Sequence, residues 1–150
     1  MFSLLVEYLD NSPISTIAFS QGGDHIGGFD GKVLVKRKAM NSFICSVKKP
    51  FKFIGRINED VNTYVHLGGL GNIFLSIMSL QLDQKDTQSN AGGMTDVYCD
   101  SGTYVKSFYS VMINPACVDI RPMGVSHKRL HHHISWANAV PCIINEKYKK

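Results

Sequence analysis

Asn58-Glu59-Asp60-Val61-Asn62-Thr63-Tyr64-Val65-His66-Leu67-Gly68-Gly69, followed after Leu70-Gly71 by Asn72-Ile73-Phe74-Leu75-Ser76-Ile77-Met78-Ser79-Leu80-Gln81-Leu82, is the stretch on which the fold turns. In its first half Val61, Tyr64, Val65 and Leu67 recur at helical spacing. Asn58 stands where an N-cap belongs, Glu59 and Asp60 suit the positive end of the helix dipole, and Gly68-Gly69 suits its end. The second half has mixed apolar spacing, but its short length and its β-branched and aromatic content predict a strand or a bent strand pair. Helix and strand in succession predict an α/β fold, with a mixed sheet and flanking helices.

Upstream, the same reasoning finds more strands. Phe51-Lys52-Phe53-Ile54 after Pro50, Phe43 to Val47, and the alternating Lys32 to Lys38 predict three short ones. Ser15 to Phe19 reads as a short buried strand leading into Gln21-Gly22-Gly23-Asp24-His25-Ile26-Gly27-Gly28, a loop whose glycines permit close backbone approach. Phe2, Leu4, Leu5, Tyr8 and Leu9 predict an opening helix, stopped by Asp10-Asn11-Ser12-Pro13. Downstream, Asp83 to Met94 is a polar loop long enough to suggest a ligand-covering role. Tyr104, Val105, Phe108, Val111 and Met112 predict a helix ended by Asn114-Pro115, and Cys117 to Ile120 a strand. A segment through Trp136 and Pro141 closes what reads as one domain, 1–150, with no internal repeat.

With 44% hydrophobic and 19% charged residues, the composition excludes disordered and fibrous classes. The net charge of +4 is mild, yet cations gather at Lys36-Arg37-Lys38, at Lys48-Lys49 with Lys52, at Lys128-Arg129 and at Lys147 to Lys150. Such clusters suit a polyanion such as DNA, or equally a solvated surface. Cys45, Cys99, Cys117 and Cys142 are widely spaced and follow no secretory leader, so free thiols in a reducing, cytoplasmic compartment are expected. The run Met1 to Leu9 has no basic start and is too short to span a membrane, so no membrane partner is expected.

Glu59 and Asp60 at a helix start serve capping as well as chemistry, but Arg56 and Asn58 crowd the same strand-to-helix junction, where α/β folds place ligands. Gln88, Ser89, Asn90, Gly92 and Gly93 within Thr87 to Thr95 supply small and amide groups suited to sugar hydroxyls or a phosphate. His131, His132 and His133 cannot all face one ion from a strand. His131 and His133, which share a face, are the metal candidates, with His127 weaker. Tyr104, Phe108, Tyr109 and Trp136 are expected in the core.

Phe51-Lys52-Phe53-Ile54-Gly55-Arg56-Ile57-Asn58-Glu59-Asp60-Val61-Asn62-Thr63-Tyr64 resembles the acidic-motif segment of phage TET-associated glycosyltransferase-like proteins. Gln21 to Gly28, Thr87 to Thr95, Gly102 to Tyr109 and Trp136 to Pro141 are similar to that family in the same order, so the resemblance covers nearly the whole chain. It implies a partial GT-A-like glycosyltransferase domain. There Asp60, beside Glu59, takes the proton as an acceptor hydroxyl attacks the anomeric carbon of a nucleotide sugar, while a divalent cation (Mn or Mg) or cationic side chains stabilise the departing diphosphate. The implied acceptor is a hydroxymethylated pyrimidine in phage DNA, with Arg56, Asn58, Asp24 and the Gln88 to Gly93 loop binding substrate, in host cytoplasm if phage-encoded. The chain departs from the GT-A pattern in lacking an Asp-x-Asp element and a preceding donor-binding β-α segment. It is therefore expected to be the acceptor-side portion, needing a separate donor-binding chain. The alternative is a non-catalytic nucleic-acid-binding or assembly subunit. A nuclease built on Asp24, His25, Glu59 and Asp60 is disfavoured for want of a nuclease spacing motif.

Overall fold

Ile14–Gln21, named β1, is one of the two inner strands of the sheet, and residues 14–20 are buried because their side chains alternate between two covered faces. The computed structural model describes residues 1–21, 33–34, 42–82, 96, 100–101, 104–124 and 129–140. Helix α1 (Phe2–Asn11) precedes β1, and β2 (Val33–Leu34), β3 (Phe43–Cys45), α2 (Glu59–Gly69), β4 (Ile73–Leu82), α3 (Tyr104–Ile113), β5 (Val118–Met123) and β6 (Arg129–Ile134) follow. The mixed sheet has the order β2-β4-β1-β3: β1 and β4 are parallel and the outer strands antiparallel to them. β5 and β6 form a separate antiparallel ribbon. The expected α/β class with a mixed sheet and flanking helices is what the chain adopts.

On one face of the sheet, Leu5 and Leu9 of α1 pack on Ile14, Ile17, Phe19 and Leu75. On the other, Tyr64 of α2 packs on Ala18 and Phe74, with Phe43, Phe51 and Leu67 beside them. A third cluster joins Val61 and Val65 of α2 to Val118 and Ala139, with Trp136 against it, as expected. Parallel pairing aligns Gln21 with Leu82, so β1 and β4 release the chain at the same end of the sheet. No helix among the described residues is long and apolar enough to cross a membrane.

Local chemistry explains the ends of these elements. α1 lacks a basic residue in its last turn, and Lys49 serves instead, its ammonium donating to the carbonyls of Leu9, Ser12 (2.5 Å) and Ile14 (3.5 Å). Lys48 pairs with Asp10 at 3.2 Å. Two cations of the Lys48-Lys49-Lys52 cluster thus hold α1 in place. α2 ends at Gly69, as the Gly68-Gly69 pair predicts, and the chain then turns through Gly71 at φ +101°, with the Gly71 amide on the Gly68 carbonyl (3.0 Å) and the Asn72 amide on that of Leu67 (2.9 Å), a Schellman turn. Gly68 has another duty: a Cβ there would collide with the Ala139 carbonyl oxygen.

Three expectations need correction. Phe51-Lys52-Phe53-Ile54 is not a strand: the Ile54 amide donates to Thr63 Oγ1 (2.8 Å), its carbonyl accepts from Asn62 Nδ2 (3.3 Å), and Gly55 bends the chain at φ +91°. Bonds to α2 replace a sheet ladder. The strand expected to reach Val47 stops at Cys45, where the Ser46 hydroxyl turns to Asp10. α3 buries little of its predicted apolar set: Ser107 and Ser110 are buried and Val111 packs on the third cluster, while Tyr104, Val105, Phe108 and Met112 are exposed. Its serines are needed inside as hydrogen-bonding groups, Ser107 accepting the His132 amide at 3.1 Å. Of Lys32 to Lys38, Val33–Leu34 is strand and the remainder lies outside the described residues.

Candidate functional site

The start of α2 departs from an ordinary cap. Asn58 occupies the N-cap position but in the left-handed region (φ 55°, ψ 33°), and its side chain makes no cap hydrogen bond. Its Nδ2 instead donates to Ser110 Oγ at 2.6 Å, and that hydroxyl donates to the Lys106 carbonyl at 3.1 Å. Asparagine tolerates this backbone region better than most residues, and the buried amide–hydroxyl bond holds it there. With no cap bond from the Asn58 side chain, Asp60 Oδ1 accepts the first-turn N–H of Val61 at 2.7 Å. Asp60 is half-buried; Glu59 and Arg56, on either side of buried Asn58, are exposed.

Beneath them lies a buried polar layer. Asn62 is fully buried and its Nδ2 also donates to the Ile57 carbonyl at 3.0 Å, so one amide group pulls the Ile54–Ile57 segment onto the helix. Asn114 Nδ2 donates to the Asn62 carbonyl (3.4 Å), and its Oδ1 lies 3.3 Å from His66 Nδ1. The Tyr64 hydroxyl and Thr16 Oγ1 are buried with no hydrogen-bond partner among the described residues. Burial, reinforced by the negative charge of Asp60, pushes the Tyr64 hydroxyl far above the ordinary tyrosine range, so it stays a neutral group in the aromatic layer. Tyr109 of α3 closes the other side, its ring lying where a Gly55 Cβ would be, 2.6 Å from Cε1.

His131 and His133 stand elsewhere, on the β5–β6 ribbon. Register pairs Asp119 with His133 and Arg121 with His131, placing the four on one face. Arg121 donates to Asp119 through Nε and Nη2 (2.9 Å for the latter), and Asp119 Oδ1 lies 2.9 Å from His133 Nδ1. The Arg121 guanidinium, and then His133, hold the Asp119 carboxyl below the usual aspartate range. His131 Nδ1 faces the His132 carbonyl at 2.9 Å, and the two imidazoles stack with centroids 4.1 Å apart. Among the described residues no three His, Cys, Asp or Glu side chains gather to hold a metal ion.

The structure thus brings Arg56, Asn58, Glu59 and Asp60 to one helix start and leaves His131 and His133 on a separate ribbon. Asp24, Gln88, Ser89, Asn90, Gly92 and Gly93, with His127, lie outside the described residues. Within the described residues, Cys45 and Cys117 form no disulfide. The sequence did not reveal Ser110, Tyr109, Asn62 and Asp119. Ser110 and Asp119 act on residues 52 and 14 positions away, and Tyr109 across a comparable span, so no local spacing announces them.

A sequence profile of the TET-associated glycosyltransferase family matches residues 1–93, the part that holds α1, the four-stranded sheet and α2. No curated protein and no solved structure matches the chain. The similar segments Gly102 to Tyr109 and Trp136 to Pro141 lie beyond the matched residues. Matched over 93 of its 150 residues, the chain belongs to the TET-associated glycosyltransferase family.

Proposed function

We propose that this glycosyltransferase-like protein transfers a sugar from a nucleotide sugar to the hydroxymethyl group of a modified pyrimidine in phage DNA, with Asp60 as the base. The observation that carries the reading is the half-buried Asp60 carboxylate at the start of α2, within the family's matched region, one oxygen fixed by the Val61 amide. A carboxylate held this way keeps its orientation while it accepts a proton. The acceptor oxygen forms a bond to the anomeric carbon, its proton passes to Asp60, and the bond to the nucleoside diphosphate breaks. Exposed Glu59 and Arg56 flank the same point, Arg56 with a charge suited to phosphate. A base inside a duplex must leave the stack to be reached.

The reading includes Asp24 and the Gln88 to Gly93 loop as further substrate contacts, and a separate donor-binding chain as a requirement for turnover. It includes a divalent cation as an addition from solution. Titration of Mn²⁺ into the protein and into an H131A/H133A variant tests the histidines, and equal binding removes them from the proposal.

Asp60→Asn is the decisive variant, because an amide oxygen still accepts the Val61 N–H while the base is lost. Hydroxymethylated DNA is incubated with nucleotide sugars, with and without a candidate donor-binding chain, and its nucleosides are weighed by mass spectrometry. The expected result is a sugar adduct with the native protein and a loss of at least about 100-fold in rate with Asp60→Asn. An adduct formed equally by both proteins would overturn Asp60 as the base. DNA binding with no adduct under any donor condition would favour the binding-subunit alternative.

A further inference from the structure

We infer that Phe53, flanked by Lys52 and Arg56, is a stacking shelf for an unpaired nucleobase of the acceptor strand. A single exposed phenylalanine ordinarily needs no explanation. This one is set apart by how it is held and by what surrounds it. Its ring rests against three others, Phe51 at 5.5 Å, Phe43 at 6.2 Å and Tyr64 at 6.4 Å between centroids, and 45% of the residue remains open to solvent. The backbone beside it is pinned on both sides of Ile54, by Thr63 Oγ1 and by Asn62 Nδ2, and cannot continue as a strand through Gly55. An aromatic surface fixed before the ligand arrives loses little conformational entropy on stacking.

Position and charge point to the occupant. Tyr64, on which Phe53 packs, lies one helical turn beyond Asp60 on α2, so the ring lies beside the helix that presents the candidate base. Lys52 and Arg56 are exposed on the same short segment, and neither takes part in an ion pair among the described residues. Flat aromatic surface interleaved with cations is the pattern that accepts single-stranded nucleic acid: the base stacks and the backbone phosphates meet the cations.

The inference deepens the proposed function and rests on DNA being the acceptor. It is tested by binding rather than by transfer, which keeps the two separable. Fluorescence anisotropy with a labelled single-stranded oligonucleotide and the full chain compares native protein, Phe53→Leu, Phe53→Trp and a K52Q/R56Q variant. Phe53→Leu keeps apolar packing without a flat ring and should weaken binding about tenfold or more, while Phe53→Trp should preserve it. K52Q/R56Q should make the salt dependence shallower, by about 0.7 in log–log slope for each phosphate that is no longer neutralised. Equal affinity of native protein and Phe53→Leu, with unchanged melting, overturns the shelf and leaves the proposed transfer standing. So does a loss confined to a nucleotide-sugar probe, which would assign the ring to the donor. Absence of oligonucleotide binding by the native protein overturns it too. Binding that depends on Phe53 without any sugar transfer supports the shelf and counts against the transfer reading.

Discussion

Asn58 shows how one residue can be legible in place and illegible in role. Its position before Glu59 marks a helix start, and α2 does begin there, but its side chain serves Ser110 rather than the cap. Nothing near residue 58 in sequence carries that information. Ser110→Ala should therefore leave the buried Asn58 amide without its acceptor and lower unfolding stability by about 1–3 kcal/mol, read in urea melts. Asp60 reverses the case: the acidic pair suggests both capping and catalysis, and its bond to the Val61 amide bears out the capping. Gly55 is more constrained than a strand reading allows. With φ +91° and the Tyr109 ring in the place of a Cβ, Gly55→Ala should cost at least about 1–2 kcal/mol from the backbone alone, again measured by denaturation.

At the scale of elements, pattern-reading located the bounds of α1, α2 and α3 from apolar spacing, and β1 and β4 from their length and composition. It failed at Phe51 to Ile54, where alternation is real but the aromatic rings join a cluster over the sheet instead of a ladder. It failed at α3 because the buried groups are serines, chosen for hydrogen bonds that pattern-reading cannot see. Lys49, legible only as part of a basic cluster, closes α1; Lys49→Met should destabilise by about 1–3 kcal/mol by leaving carbonyls unpaired, seen as a lower urea midpoint. On the β5–β6 ribbon the lowered pKa of Asp119 gives a pH dependence of known sign. Its contribution is whole above the ordinary aspartate value of 3.8 and is lost as pH falls from there through the lower folded value. Asp119→Asn should thus lower the melting temperature at neutral pH, and the gap to the native protein should narrow in acid. Because the pair is exposed, the gap should also shrink in high salt.

Across the whole molecule, the part matched by the family and the part beyond it share a core. Val61 and Val65 belong to the first, and Val118 and Ala139, which bury them, to the second. Each of those valines is worth about 1.5–3 kcal/mol of burial, a large fraction of the roughly 5–15 kcal/mol that separates folded from unfolded domains. A fragment ending at residue 93 should consequently melt without a cooperative transition, as followed by circular dichroism, whereas the full chain should unfold in one step. The α/β class, the mixed sheet and the acidic helix start could be read from the sequence because local patterns carry them. The buried polar layer of Asn62, Asn114 and Ser110 could not, since its bonds span up to 52 positions. That span has a consequence during synthesis. As the chain leaves the ribosome, the left-handed bend at Asn58 is made long before the hydroxyl that holds it, so α2 has no settled beginning until Ser110 emerges. The carboxylate at that beginning takes its final position late in translation, even though it is encoded early.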